Sequence, residues 1–372
     1  MEAQAPRRFE FDYNAGGQPD PRVLAYLAEV AAGCRGNASS LHTTGRRARG
    51  RLEEARERVA AALGVPAASV VFVSGGTEAN NLVVLGHGDL SRPVLLAPSE
   101  HASVLAPAAH RGAVEWAVDA TGSAVVTPPP DPVGLVCLVH GQSEVGTLQP
   151  IAAAGALARA LGVPFHVDAS QTLGRCALDE VVATADTITL STHKAGGVVG
   201  SGVLIDRSER RSPLLHGGGQ QRDRRPGTEP VALCLATALA VELAVAETAS
   251  RATAMRRARD AFLDALDLAT SPGVHRVTPA HSLPNTVMLR FDDVTDGRQL
   301  LPALDLAGID ASHGSACSSG APTPPAILRA IGFDDAASRR CVRFSFSPTS
   351  DARYAADGGH LLCAALSRLR TS

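Results

Sequence analysis

The hydrophobic positions along this chain change period several times. From Leu52 through Ala55 and Val59 to Leu63 the apolar residues recur at helical spacing, which predicts a helix beginning near Thr44-Gly45-Arg46. Pro21 to Ala32 reads as an earlier helix, after an irregular, glycine-bearing stretch from Ala5 to Asp20. Short continuous apolar runs then alternate with helical patterns. Val70–Val73, Val94–Ala97, Leu135–Val139, Phe165–Val167, Thr187–Leu190 and Gly202–Ile205 read as strands. Glu78–Gly86, His101–Ala109 and Ile151–Leu161 read as the helices between them. Continuous apolar strands separated by helices predict a mainly parallel sheet covered on both faces. Around Pro230 the pattern changes. Val231–Leu268 reads as a long, alanine-rich helix, in one piece or with a break. Beyond it, short strands (Thr286–Phe291, Val342–Phe346) mix with helices (Arg298–Ala307, Pro325–Ala330, Ala352–Leu369), the pattern of a smaller α+β domain.

Composition narrows the class. A length of 372 residues suits two domains sharing a large core, and 45% hydrophobic with 19% charged residues is the balance of a folded globular protein. The formal net charge of −2 lacks the basic excess of a nucleic-acid binder, so no direct nucleic-acid partner is expected. The basic run Arg46 to Arg51 reads as the exposed face of a helix. No segment is apolar for about 18 residues, the length a membrane-spanning helix needs. Met1 to Arg8 lacks the apolar stretch of a secretory signal, so a cytoplasmic location without membrane contact is expected. The seven cysteines are scattered, odd in number and without a CxxC pair; neither a disulfide framework nor a metal site is expected.

Several segments carry candidate chemistry, each with a plain structural reading beside it. Lys194, in Ser191-Thr192-His193-Lys194, follows a strand and precedes a glycine-rich turn. A lysine at a strand end can form a Schiff base, although most lysines are merely exposed. Asp168 closes the strand Phe165-His166-Val167. It could hold a protonated ring nitrogen of a cofactor or cap the next helix. Ser74-Gly75-Gly76-Thr77-Glu78-Ala79-Asn80-Asn81 turns from a strand into a helix, which makes either a phosphate cradle or a tight turn. His101, in Ser99-Glu100-His101, could stack on a cofactor ring and move protons, or be a loop histidine. Cys317 lies among small residues in Gly314-Ser315-Ala316-Cys317-Ser318-Ser319-Gly320, as expected of a mobile loop. It is either an accessible nucleophile or a filler of a turn. Arg343, inside an apolar strand, needs an anion, either a substrate carboxylate or a structural partner.

In order and spacing these segments resemble the NifS/IscS-type cysteine desulfurases of the class V aminotransferase group. The resemblance runs from Asp12-Tyr13-Asn14-Ala15 to Arg343-Phe344-Ser345. It takes in Gly36-Asn37-Ala38-Ser39-Ser40, His140-Gly141-Gln142-Ser143-Glu144-Val145-Gly146, His216-Gly217-Gly218-Gly219-Gln220-Gln221-Arg222 and Arg225-Pro226-Gly227-Thr228-Glu229. It implies pyridoxal 5′-phosphate (PLP) as cofactor and the α/β, aspartate aminotransferase-like fold type I. The implied division is an N-terminal segment, 1–20, packing with the small domain, a large PLP-binding domain, 21–250, and a small C-terminal domain, 251–372. Lys194 would be the Schiff-base lysine. Gly76, Thr77, Ser191 and His193 would hold the phosphate, and Thr228 would reach the phosphate of the other subunit of a homodimer. Asp168 would pair with the ring nitrogen, Gln171 would lie at the phenolic oxygen, and His101 would stack on the ring. Asn14, Asn37 and Arg343 would bind the substrate, L-cysteine. Cys317 would take its sulfur as a persulfide, release L-alanine and pass the sulfur to an acceptor protein.

The chain also departs from that family. Gln142-Ser143-Glu144 replaces the usual Asn-Asn-Glu, so Ser143 stands where an Asn normally contacts the cofactor or substrate. Gly16-Gly17 replaces paired threonines. The stretch after Lys194 lacks the usual aromatic and Gly-Pro. A selenocysteine lyase or another class V lyase fits the same segments, as does a PLP-binding scaffold of a sulfur-transfer complex.

Overall fold

The structure is a computed structural model that describes residues 8–208, 212–268, 273–294, 296–313 and 325–370. Cys317 and its neighbours from 314 to 324 lie outside the described residues. In chain order the strands are β1 (Phe9–Glu10), β2 (Val70–Val73), β3 (Val94–Leu96), β4 (Ala113–Glu115), β5 (Leu135–Val139), β6 (Phe165–Asp168), β7 (Thr187–Leu190), β8 (Gly202–Asp206), β9 (Val274–Arg276), β10 (Thr286–Phe291), β11 (Ile309–Asp310) and β12 (Cys341–Ser345).

Seven of them form one sheet in the order β2-β8-β7-β6-β5-β3-β4. Strand β8 runs antiparallel to both of its neighbours, and the remaining pairs are parallel. Strands β2, β5, β6, β7 and β8 are buried along their whole length. That is why β2, β5 and β8 are near-continuous apolar runs, while β6 and β7 place the buried polar residues His166, Asp168, Thr187 and Thr189 between apolar ones. Helices cover the two faces. The helix Thr43–Leu63 turns Leu52, Ala55 and Val59 into the core and leaves Arg46, Arg47, Arg49 and Arg51 exposed, as the sequence predicted. Gly76–Gly86 and Ala102–Arg111 pack on the other face through Val83, Val84 and Val104.

The long C-terminal helical stretch is broken. Val231–Ala246 and Thr248–Leu266 meet at Glu247 with a bend of 71°. The first is apolar all round because it is buried against Thr43–Leu63; the second turns Ala258, Phe262 and Leu266 toward a different cluster. Among the described residues no single helix is long and apolar enough to cross a membrane.

That second cluster gathers the antiparallel sheet β12-β10-β9, the helix Ala352–Arg370 and the N-terminal segment. Phe11 is fully buried there, with ring centroids of Phe262 and Phe346 each 5.1 Å away. The stretch Ala5–Asp20, expected to be irregular, therefore contains a strand: β1 pairs parallel with β11, and Asp12 bridges to Ser345. Neither partner is near it in sequence, so local pattern gave no sign of it.

Candidate active site

Strands β2, β3, β5, β6 and β7 point their C-terminal ends to one edge of the sheet, where open parallel sheets hold their ligands. The register aligns Val139 with Asp168 and Asp168 with Thr189, so the segments after these strands converge. They enclose a cavity of about 310 Å³ whose walls include Gly76, His101, Asp168, Gln171, Ser191 and Lys194. Thr77, Ser143 and His193 line it too. A wider cleft of about 1350 Å³ beside the N-terminal segment contains none of these groups.

Asp168 ends β6 and is 4% exposed. Burial opposes its charge, but donors from Ser170 and Asn80 outweigh it and hold the carboxyl below its usual range. The Ser170 N–H donates to Oδ1 at 2.9 Å and Asn80 Nδ2 donates to Oδ2 at 2.8 Å. Asp168 is thus an ionised acceptor fixed at a strand end. Lys194 closes the turn after β7. Burial pushes its ammonium below its ordinary value; Asp168 works against this, and Arg175 and Arg343 reinforce it. A lysine in that setting is readier to present the neutral amine a carbonyl requires.

Gly76 opens a helix at the same edge. A Cβ there would stand 2.3 Å from Ser191 Oγ and 3.1 Å from Ser170 Oγ, and the buried Ser170 Oγ has no hydrogen-bond partner among the described residues. Glycine therefore leaves a polar recess bounded by helix N-terminal amides and two hydroxyls. Its donor set fits a phosphate.

The remaining sequence-predicted residues fall into two groups. Asn14 and Arg343 are buried beside the cavity, already paired. Asn14 Nδ2 donates to the Ser143 carbonyl at 3.0 Å and to Thr286 Oγ1 at 2.9 Å, and its Oδ1 accepts from Arg175 and Asn285. Arg343 donates to the Ser143 carbonyl at 3.1 Å and forms an ion pair with Asp12 at 2.5 Å, while its buried Nε lacks a partner among the described residues. Asn37 and Thr228 are exposed and do not line the cavity. Asn37 instead accepts the N–H of Ser39 in its own turn.

Arg175 was not anticipated from sequence. It is 2% exposed and has no ion pair with a carboxylate among the described residues. It lies 5.1 Å over the Tyr13 ring and donates to Asn14 Oδ1, to Gln171 Oε1 and to the Lys194 carbonyl. It ties three site segments together. Tyr13 also bears on Gly17. Its ring fills the space of a residue-17 side chain, where a Cβ would come within 2.0 Å of Cε2.

Residues 10–353 match the aminotransferase class-V family. The chain belongs to this family. It is 36% identical over 361 residues to an IscS-like cysteine desulfurase of Mycobacterium tuberculosis, covering 91% of each chain. It is 31% identical to the cysteine desulfurase IscS of Dictyoglomus turgidum, covering 87% of this chain and 86% of that one. Among solved structures, a NifS-like protein superposes with a TM-score of 0.85 at 28% identity, over 97% of this chain and 100% of the other. DndA from Streptomyces lividans gives 0.73 at 29% identity, over 93% and 99%. SspA in complex with cysteine gives 0.75 at 26% identity, over 92% and 99%. In this class V member the parallel sheet and the cavity at its C-terminal edge belong to the fold.

Proposed function

We propose that this class V protein is a PLP-dependent cysteine desulfurase, converting L-cysteine to L-alanine and passing the sulfur on through Cys317. The observation that carries the reading is the convergence of Lys194, ionised Asp168 and the Gly76 recess on one cavity at the sheet edge. Class V enzymes of this kind use PLP, which when bound supplies an electron sink for the charge left on the substrate α-carbon. Gly76, Thr77, Ser191 and His193 would hold its phosphate, and Lys194 would hold it covalently through Nζ. Asp168 would keep the ring nitrogen protonated, with Gln171 beside the phenolic oxygen and His101 over the ring.

Lys194 Nζ would take the α-proton of the bound substrate. Arg343 binds the substrate carboxylate, flanked by Asn14. The Cys317 thiolate attacks the substrate sulfur: an S–S bond forms, the C–S bond breaks, and the carbon fragment takes up protons and leaves as alanine. The persulfide left on Cys317 needs an acceptor protein. Thr228 is exposed on a segment that also exposes Leu214 and Leu215, which supports a homodimer in which Thr228 serves the partner's phosphate. The clustering of Phe9 and Phe11 with Phe262 supports reading residues 1–20 with the small domain.

Two variants test this. Lys194→Ala should lose the borohydride-reducible link to PLP; a surviving link overturns the assignment. Cys317→Ser should keep the PLP colour and lose alanine and sulfide production from cysteine. Full activity in that variant would mean direct elimination instead.

A further inference from the structure

Asn80 has so far served only to hold Asp168 and Ser103 has had no part, yet both are buried at the site, 1% and 7% exposed. Asn80 Nδ2 donates to Asp168 Oδ2 and to Ser103 Oγ, each at 2.8 Å. Its Oδ1 meets His166 Nε2 at 3.0 Å, and His166 Nδ1 meets Thr187 Oγ1 at 2.9 Å. On the other side, Ser103 Oγ lies 2.7 Å from His101 Nδ1, and the Ser103 backbone N–H donates to the same nitrogen at 3.1 Å. His101 is the N-cap of the helix Ala102–Arg111 through that contact.

The protons in this network follow from the chemistry of its ends. An ionised Asp168 can only accept, so Asn80 turns its NH₂ toward it and its oxygen toward His166. His166 Nε2 must then carry a hydrogen, and its Nδ1 accepts from Thr187. The second Asn80 hydrogen occupies one lone pair of Ser103 Oγ and leaves the hydroxyl hydrogen free to turn to His101 Nδ1. The Ser103 amide N–H points at the same nitrogen, so a hydrogen on Nδ1 would face a second donor. Nδ1 is therefore an acceptor, and the hydrogen sits on Nε2, which meets no protein partner among the described residues.

We propose that Asn80 and Ser103 lock His101 as the neutral Nε2–H tautomer, presenting the cavity with a hydrogen-bond donor rather than a base. Both are positioning residues, acting through His101. Protonating His101 puts a hydrogen on Nδ1, which removes the bond from the Ser103 amide N–H and forces the Ser103 hydroxyl to turn from donor to acceptor. The charged groups facing the ring are Lys194 from the turn after β7, Asp168 from β6 and Glu144 from the loop after β5. Burial and Lys194 keep the imidazole below its ordinary value against the two carboxylates. His101 then donates to a negative atom of the bound ligand, and proton abstraction falls to Lys194. That use rests on the proposed function; the tautomer does not.

The test is long-range 1H–15N spectroscopy of the full chain with 15N-labelled histidine, with PLP bound and again after its removal. His101 is assigned by the signals lost in His101→Gln. Near about pH 7, where a free imidazole is mostly neutral, the expected pattern is the Nε2–H tautomer in both forms. Ser103→Ala should raise the His101 midpoint by about half to one pH unit, roughly three- to tenfold in proton affinity, the scale of one lost hydrogen bond. Ser103→Thr, which keeps the hydroxyl, should restore it. An Nδ1–H tautomer, a cationic ring at that pH, or an unmoved midpoint in Ser103→Ala overturns the proposal. Failure to bind PLP or turn over cysteine while the tautomer holds would overturn the functional reading alone.

Discussion

Glu100 offers a sharp test of how this site is built. It follows Ser99, precedes His101 and is 6% exposed. Its Oε1 accepts the Val139 N–H at the end of β5, and its Oε2 is buried without a partner among the described residues. Burial, with the nearby Asp168 charge, pushes its carboxyl from 4.5 up to about 8. The folded chain therefore holds a proton there that the unfolded chain releases near 4.5. The contribution of Glu100 to stability is most favourable below 4.5 and is lost as pH rises to about 8. At about 1.4 kcal/mol per pH unit, the loss across that window is roughly 4–5 kcal/mol. Glu100→Gln keeps the acceptor for Val139 and cannot ionise, so its stability lacks this slope. Urea denaturation of both proteins in parallel from pH 5 to pH 8 isolates the effect, because other titrating groups cancel in the difference. The variant should gain on wild type steadily with rising pH. Parallel curves would mean that Glu100 ionises freely in the fold, and the picture of a neutral acid behind Asp168 would be wrong.

Three further outcomes follow from particular contacts. Phe11→Ala empties a fully buried site among Phe262, Phe344 and Phe346 and should cost about 3–5 kcal/mol in urea denaturation. A loss below about 1 kcal/mol would show that the N-terminal segment is not part of that core. Asp223→Gly relaxes the last of three consecutive left-handed residues, Gln221, Arg222 and Asp223 at φ 50°, 56° and 61°, and should raise stability by about 0.5–1 kcal/mol. Lower stability would mean that Asp223 makes contacts worth more than its strain. Gly76→Ala fills the recess beside Ser191 and Ser170 and should weaken PLP binding at least about tenfold by absorbance titration. Unchanged affinity would move the phosphate elsewhere.

Much of this protein follows from neighbours in sequence. The alternation of apolar runs with helical patterns from Val70 to Asp206 is enough for a buried, mainly parallel sheet, since each period reflects local geometry. Asp168 and Lys194 could be picked out because each sits at the end of an apolar run, where such a sheet presents its ligands. What the sequence could not determine is which distant groups satisfy one another. The ion pair Arg343–Asp12 spans 331 positions, and β1 finds β11 from the far end of the chain. Arg175 looked like any arginine until folding removed it from water and set it against the Tyr13 ring, with Asn14, Gln171 and the Lys194 carbonyl as hydrogen-bond partners. Asn37 and Thr228 carried family motifs, yet the fold leaves both exposed outside this chain's cavity. The reason is physical. Propensity and periodicity act over a few residues, whereas a buried polar atom must be satisfied by whatever the tertiary structure brings within about 3 Å. For His101, the side chain was legible in the sequence, and the location of its proton was decided by Asn80 and Ser103.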